Sequence, residues 1–250
     1  MRKLQAVLVG LTVALTTLGA PSPAALAATA SPIVGATVAT VLPATGSTVG
    51  VGHPIIVTFT GPVANRVNVE RSIKVVSPKN VTGQFEWLSD DTVQFTPDTF
   101  WPAHSQVKAS VGNTPLDFNV GTSVVGVASI SNHTFTVSID GAVARKMPAS
   151  MGKPKHPTPI GTFSVLGKEN PVIMDSRTIG IPLDDPEGYK LTVNYAVRIT
   201  WGGVYVHSAP WSVAQQGVSN VSHGCINLSP DNAAWYYNQV GIGDPVTVNA

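Results

Sequence analysis

From residue 31 to about residue 122 the chain is a succession of short runs in which polar and apolar residues alternate, each closed by glycine, proline, asparagine or aspartate. Alternation with a period of two turns every second side chain to one face, and strands this short must pair to bury that face. Pro54–Phe59 rises from the Gly50–Gly52 turn, and Ser72–Val76, Thr92–Thr96 and Ser105–Val111 alternate in the same way. Gly83–Trp87 is set to pair with Thr92–Thr96 across Ser89-Asp90-Asp91. Strands at this spacing predict an immunoglobulin-like β-sandwich. The Cys-Trp-Cys core of antibody domains is missing, so the kinship is architectural. No nucleophile, acid and base gather here, and this segment reads as a spacer or positioning module.

A second segment, residues 123–250, is also β-rich. Val127–Ile130 and Thr134–Ile139 read as strands, and Asp140-Gly141 as a tight hairpin turn into Ala142–Met147. A proline-rich crossing, Lys153–Gly161, precedes the strand Thr162–Val165, and Asp175–Lys190 reads as a long loop of the kind that forms lids. Leu191–Trp201 and Val204–His207 return to strand, and Pro245–Asn249 is a last one. Ser229-Pro230-Asp231 opens the one clear helix, to about Gln239: serine caps, proline takes the first turn and aspartate meets the positive end of the dipole. The expected fold is therefore mainly β, a sandwich followed by a β-rich domain with one short helix.

Before both, residues 1–30 carry Arg2 and Lys3, an apolar run from Leu4 to Leu18, Gly19 and Pro21, and an Ala25-Leu26-Ala27 site. This order is that of an export signal. The segment is either cleaved or retained as an anchor, and without a cysteine it cannot carry a lipoprotein anchor. An exported protein in the periplasm or cell wall is the expectation. Net charge is +1 and no basic run suggests nucleic acid.

Export makes the cysteine usage informative, because exported cysteines usually pair as disulfides. This chain has one, Cys225. Free cysteine is also a common core residue, but its neighbours favour chemistry. A thiol attacks well when an imidazole takes its proton, and His207 and His223 are at hand. His207 is far enough away to lie on a neighbouring strand and point across at the thiol. His223, two residues before Cys225, would share its face if the segment were extended. Gly224 allows close approach, and the N–H groups around His223, Gly224 and Cys225 could form an oxyanion hole. Ser208, by side chain or carbonyl, is the nearest group to orient the His207 ring. Two histidines and a cysteine would also suit zinc, but a fourth ligand is not evident. His53, His104, His133 and His156 read as isolated surface or packing residues.

His207, fourteen residues, and then Ser222-His223-Gly224-Cys225-Ile226-Asn227 resembles the signature of L,D-transpeptidases with a YkuD-type catalytic domain. Thr158-Pro159-Ile160-Gly161 and His207–Trp211 are supporting matches. The upstream module is similar to the bacterial Ig-like domain that precedes the catalytic domain in mycobacterial members. The resemblance implies transfer from a peptidoglycan tetrapeptide stem, with loss of its terminal D-alanine. A Cys225 thioester then passes to the diaminopimelate amine of an acceptor stem, giving a 3→3 cross-link. It implies His207 as base and later acid, Ser208 orienting it by its main-chain oxygen, and His223, Gly224 and Cys225 framing the oxyanion hole. Asn227 and Ser222 would contact substrate, Tyr189 would act from the lid, and Met174 and Trp211 would line the cleft. Gly202-Gly203 would bind donor backbone, although a serine is usual at the first of these. No cofactor or metal is implied, and carbapenem β-lactams are expected to acylate the cysteine. With water as acceptor, the same residues would make an L,D-carboxypeptidase or endopeptidase.

Overall fold

The computed structural model describes residues 37–79 and 81–250. The export-like segment, residues 1–30, and its cleavage-like sites lie outside the described residues. Among those described, no helix is long and apolar enough to cross a membrane.

The first half is two four-stranded sheets face to face. One runs in the order Val38–Leu42, Ile55–Phe59, Thr92–Pro97, Gly83–Trp87, and the other Thr48–Val49, Thr114–Val120, Ser105–Val111, Ile73–Val76. The expected hairpin pairs Gly83–Trp87 with Thr92–Pro97, with Phe85 opposite Phe95. Alternation sends Val57, Val93, Phe95, Val107, Leu116 and Phe118 into the space between the sheets, around buried Trp101. The Trp101 indole N–H is satisfied by the His53 carbonyl at 2.7 Å. One element departs from the strand reading: Arg66–Ser72 is a short α-helix, started by Asn65, whose side chain accepts from the Asn68 N–H.

In the second half a five-stranded sheet runs Ala142–Pro148, Thr134–Ile139, Val124–Ser129, Pro245–Asn249, Gly161–Ser164. The turn into Ala142 has positive φ at both Asp140 (47°) and Gly141 (85°), as a tight two-residue hairpin requires. A four-stranded sheet runs Gly167–Glu169, Ala196–Arg198, Tyr205–Ser208, Ile226–Leu228. The helix Pro230–Gln239, with Pro230 in its first turn, sends Ala233 and Tyr236 into the core that the two sheets share. Ser229 stands at the cap position, but its side chain makes no capping hydrogen bond, so the helix start rests on proline and Asp231 alone.

Tyr236 fixes that helix. Its ring meets Phe135 edge-on, 4.9 Å between centroids, while its hydroxyl is buried with no hydrogen-bond partner. An unpaired buried hydroxyl costs free energy that a ring alone would not. Tyr236→Phe should therefore raise unfolding stability by about 1 kcal/mol, read as a higher denaturant midpoint. A lower midpoint would mean that the hydroxyl has a partner.

The halves meet through backbone and side-chain hydrogen bonds. Gly50 and Gly52 N–H groups donate to the Ile242 and Gly243 carbonyls at 2.7 and 2.8 Å. Asp244 accepts from the Val51 and Val124 N–H groups, one from each half, at 3.4 and 3.3 Å. A Cβ at Gly50 would collide with the Asp244 backbone, so the approach depends on glycine there.

Candidate active site

Parallel pairing of Tyr205–Ser208 with Ile226–Leu228 makes His207 and Asn227 register partners. Cys225 is two residues before Asn227, so strand alternation turns all three side chains toward one cavity, which they line together. His207 is buried, and its Nδ1–H donates to the Ser208 carbonyl at 2.8 Å. A carbonyl can only accept, so the proton is on Nδ1 and the Nε2 lone pair is left for the cavity. Burial holds the ring neutral, with its pKa lowered to about 4. The half-exposed Trp211 ring covers it at 6.0 Å.

The Cys225 sulfur has the Gly203 carbonyl as hydrogen-bond acceptor at 3.7 Å. Desolvation pushes the thiol up to about 11, opposed weakly by the Tyr205 N–H. Thiol and imidazole are therefore both neutral near pH 7.

The segment before Cys225 is not extended. The chain bends, with Gly224 at φ 117°, where a side chain would be strained. Ser222 braces the bend: its hydroxyl donates to the Cys225 carbonyl at 2.6 Å and accepts the Gly224 N–H at 3.1 Å. The Gly224 N–H is therefore already engaged and is not a free oxyanion donor, and the hydroxyl of Ser222, which lines the cavity, is held by its own loop. Asn227 also has an internal partner, donating from Nδ2 to the Ser212 hydroxyl at 3.1 Å.

Thr158 ties the proline-rich crossing to this bend. Its buried hydroxyl accepts from the Gly152 N–H at 2.9 Å and donates to the Gly224 carbonyl at 2.8 Å. Thr158→Val keeps the shape and strands both partners, which should cost about 2 to 4 kcal/mol of stability. It should also slow labelling of Cys225 by a cleft-binding acylating agent more than labelling by small iodoacetamide. Equal stability of the two proteins would remove Thr158 from this role.

The long loop is the tip of a hairpin, Val172–Asp175 paired with Lys190–Val193. A 3-10 turn, Ser176–Ile179, begins it, and the Ser176 hydroxyl holds both sides, donating to the Ile181 carbonyl and accepting the Tyr189 N–H. This lid covers a cavity of about 460 Å³ lined by Met174 and Tyr189 from the hairpin and by Trp211, His207 and Cys225 from below. Gly202 and Gly203 do not line it. They form the turn between Ala196–Arg198 and Tyr205–Ser208, and reach the thiol only through the Gly203 carbonyl.

His223 turns to the lid. Its ring lies 5.1 Å from Tyr189 and 5.0 Å from His156. Glu187, near the lid tip, accepts from Lys153 (2.8 Å), His156 (3.0 Å) and Lys155 (3.1 Å). Those donors, Lys153 first, hold its carboxyl down to about 2. His156 is thus not isolated. Desolvation first, then the charges of Lys153 and His156, lowers the His223 pKa. By type, His156, Glu187 and His223 could ligate a metal, their ligand atoms lying within 4.8 Å of one another. The Lys153 ammonium occupies that place, 3.3 Å from His223 Nε2. Lys153, Glu187 and Thr158 had no role in the sequence reading. Thr158 alone was signalled, by its place in the Thr-Pro-Ile-Gly run.

A sandwich followed by a β-rich domain with a lidded, thiol-bearing cleft defines a class of two-domain cleft enzyme. Residues 123–248 match the L,D-transpeptidase catalytic domain (YkuD) and residues 24–114 a bacterial Ig domain. The chain belongs to the L,D-transpeptidase family. It is 59% identical over 199 residues to L,D-transpeptidase 1 of Mycobacterium tuberculosis, covering 80% of this chain and 79% of that one. An L,D-transpeptidase structure from Mycobacterium smegmatis superposes with a TM-score of 0.82 at 63% identity, over 86% of this chain and 99% of the other. An L,D-transpeptidase in complex with imipenem gives 0.83 at 58% identity, over the same shares.

Proposed function

We propose that this protein forms 3→3 cross-links in peptidoglycan through a thioester on Cys225. The observation that carries the proposal is a lone thiol under a lid, in one cavity with a buried imidazole whose free Nε2 is set by the Ser208 carbonyl. In the first half-reaction His207 takes the thiol proton as sulfur bonds to the carbonyl carbon of the donor stem. The peptide C–N bond then breaks, and D-alanine leaves with that proton on its amine. In the second, the acceptor's diaminopimelate amine attacks the thioester, the C–S bond breaks, and the thiol recovers a proton through His207. Of the N–H groups near the thiol, those of His223 and Cys225 remain candidates for the oxyanion. The lid excludes water, which would otherwise compete for the thioester.

Imipenem, a carbapenem, bound to a relative supports the expectation that carbapenems acylate Cys225 here. The export-like residues 1–30 support action outside the membrane, with the Ig-like half setting the reach into the wall. Purified protein given a tetrapeptide-stem fragment should release D-alanine and form dimers. Free tripeptide alone would instead establish carboxypeptidase action, and no loss of D-alanine would overturn the proposal.

A further inference from the structure

Lys153 is the one lysine or arginine that lines the cavity among the described residues. Its position is built in. The Lys153 N–H donates to the Ser222 carbonyl at 3.0 Å, and Gly152 bridges to Ser222, so the residue is stitched to the bend that carries Cys225. Its ammonium has three protons. One goes to Glu187 Oε1 at 2.8 Å and one faces His223 Nε2 at 3.3 Å, which leaves a third. The side chain is 25% exposed, enough to meet a ligand. The surroundings favour an anion: two ammoniums, Lys153 and Lys155, stand against the single Glu187 carboxylate.

We propose that Lys153 reads the free terminal carboxylate of the donor stem and so selects a donor with one residue beyond the scissile bond. The inference rests on the cross-linking reading above. In such a donor the carboxylate carbon lies about 4 Å past the scissile carbonyl carbon, so its partner must share the cavity of the thiol, as Lys153 does. A stem longer by one residue would place its neutral peptide group at the ammonium and its carboxylate beyond it. Glu187 is a positioning residue in this arrangement, holding the ammonium from the lid side.

The test compares two donors on two proteins: a tetrapeptide stem with a free or an amidated C-terminus, and the native enzyme or Lys153→Met. Thioester formation is followed by intact mass in a single turnover without acceptor. On the native enzyme, amidation should slow acylation by about 10- to 100-fold, the range for a lost hydrogen bond to a charge. Lys153→Met should show the same loss with the free acid and no further loss on amidation, while Lys153→Arg should recover part of the rate. The native-enzyme arm does not depend on any variant folding. Losses that multiply when both changes are made would overturn the inference, as would a Lys153→Met defect confined to the acceptor step. Failure of the native enzyme to release D-alanine from the free tetrapeptide would sink the cross-linking reading instead, a separate outcome.

Discussion

Cys225→Ala is expected to gain no mass with a carbapenem or a tetrapeptide donor, while the native protein gains one adduct. Cross-link formation should fall by roughly 10⁴-fold or more, because no second group in the cavity can take over covalent attack. The residue is the chain's single cysteine, so every thiol adduct must be at this position. Loss of one sulfur atom at a partly exposed site should change stability by no more than about 1 kcal/mol. An inactive variant that unfolds normally therefore isolates chemistry from folding. The same adduct on the alanine variant would place the acylated group elsewhere and end the thioester mechanism.

Much of the frame was legible because β-structure writes itself as alternation. Gly83–Trp87 and Thr92–Pro97 pair as their patterns demand, and Asp140-Gly141 turns as its residues require. The helix Arg66–Ser72 was hidden, since it spans seven residues and buries only Val69, too little for a helical period to emerge. That His207 lies on a strand beside the one that follows Cys225, so that both line one cavity, was legible from their spacing. The bend at Gly224 was not, because a single φ angle has no pattern of its own, and with it went the free Gly224 N–H. The cluster around Glu187 was the least legible part. Residues 153, 156, 187 and 223 converge only when the lid hairpin folds down over the proline-rich crossing. Lys153, His156 and Glu187 each looked like an ordinary charge or histidine where they stood, and His223 was singled out for its place beside the thiol rather than for the lid.

The second large effect concerns how the thiol is activated. In a pre-formed thiolate–imidazolium pair the thiol pKa is depressed and the enzyme carries its charge before substrate arrives. Here burial acts the other way on both partners, raising Cys225 to about 11 and lowering His207 to about 4. At pH 7 a thiol with that pKa is ionised in only about one molecule in 10⁴. The reactive form is then the neutral pair, with the proton moving to His207 as sulfur attacks. The sign fixes the profile. Falling pH protonates His207 and switches the reaction off near pH 4, and rising pH removes the need for the base only near pH 11. Single-turnover acylation by a donor should therefore be nearly flat from about pH 6 to 9. In His207→Ala the rate at pH 7 should drop by roughly 10² to 10⁴-fold. What remains should climb about tenfold per pH unit, because only the thiolate fraction still reacts. A native profile rising steeply through pH 6 to 8, or a His207→Ala profile that stays flat, would show that the thiolate already exists in the resting enzyme.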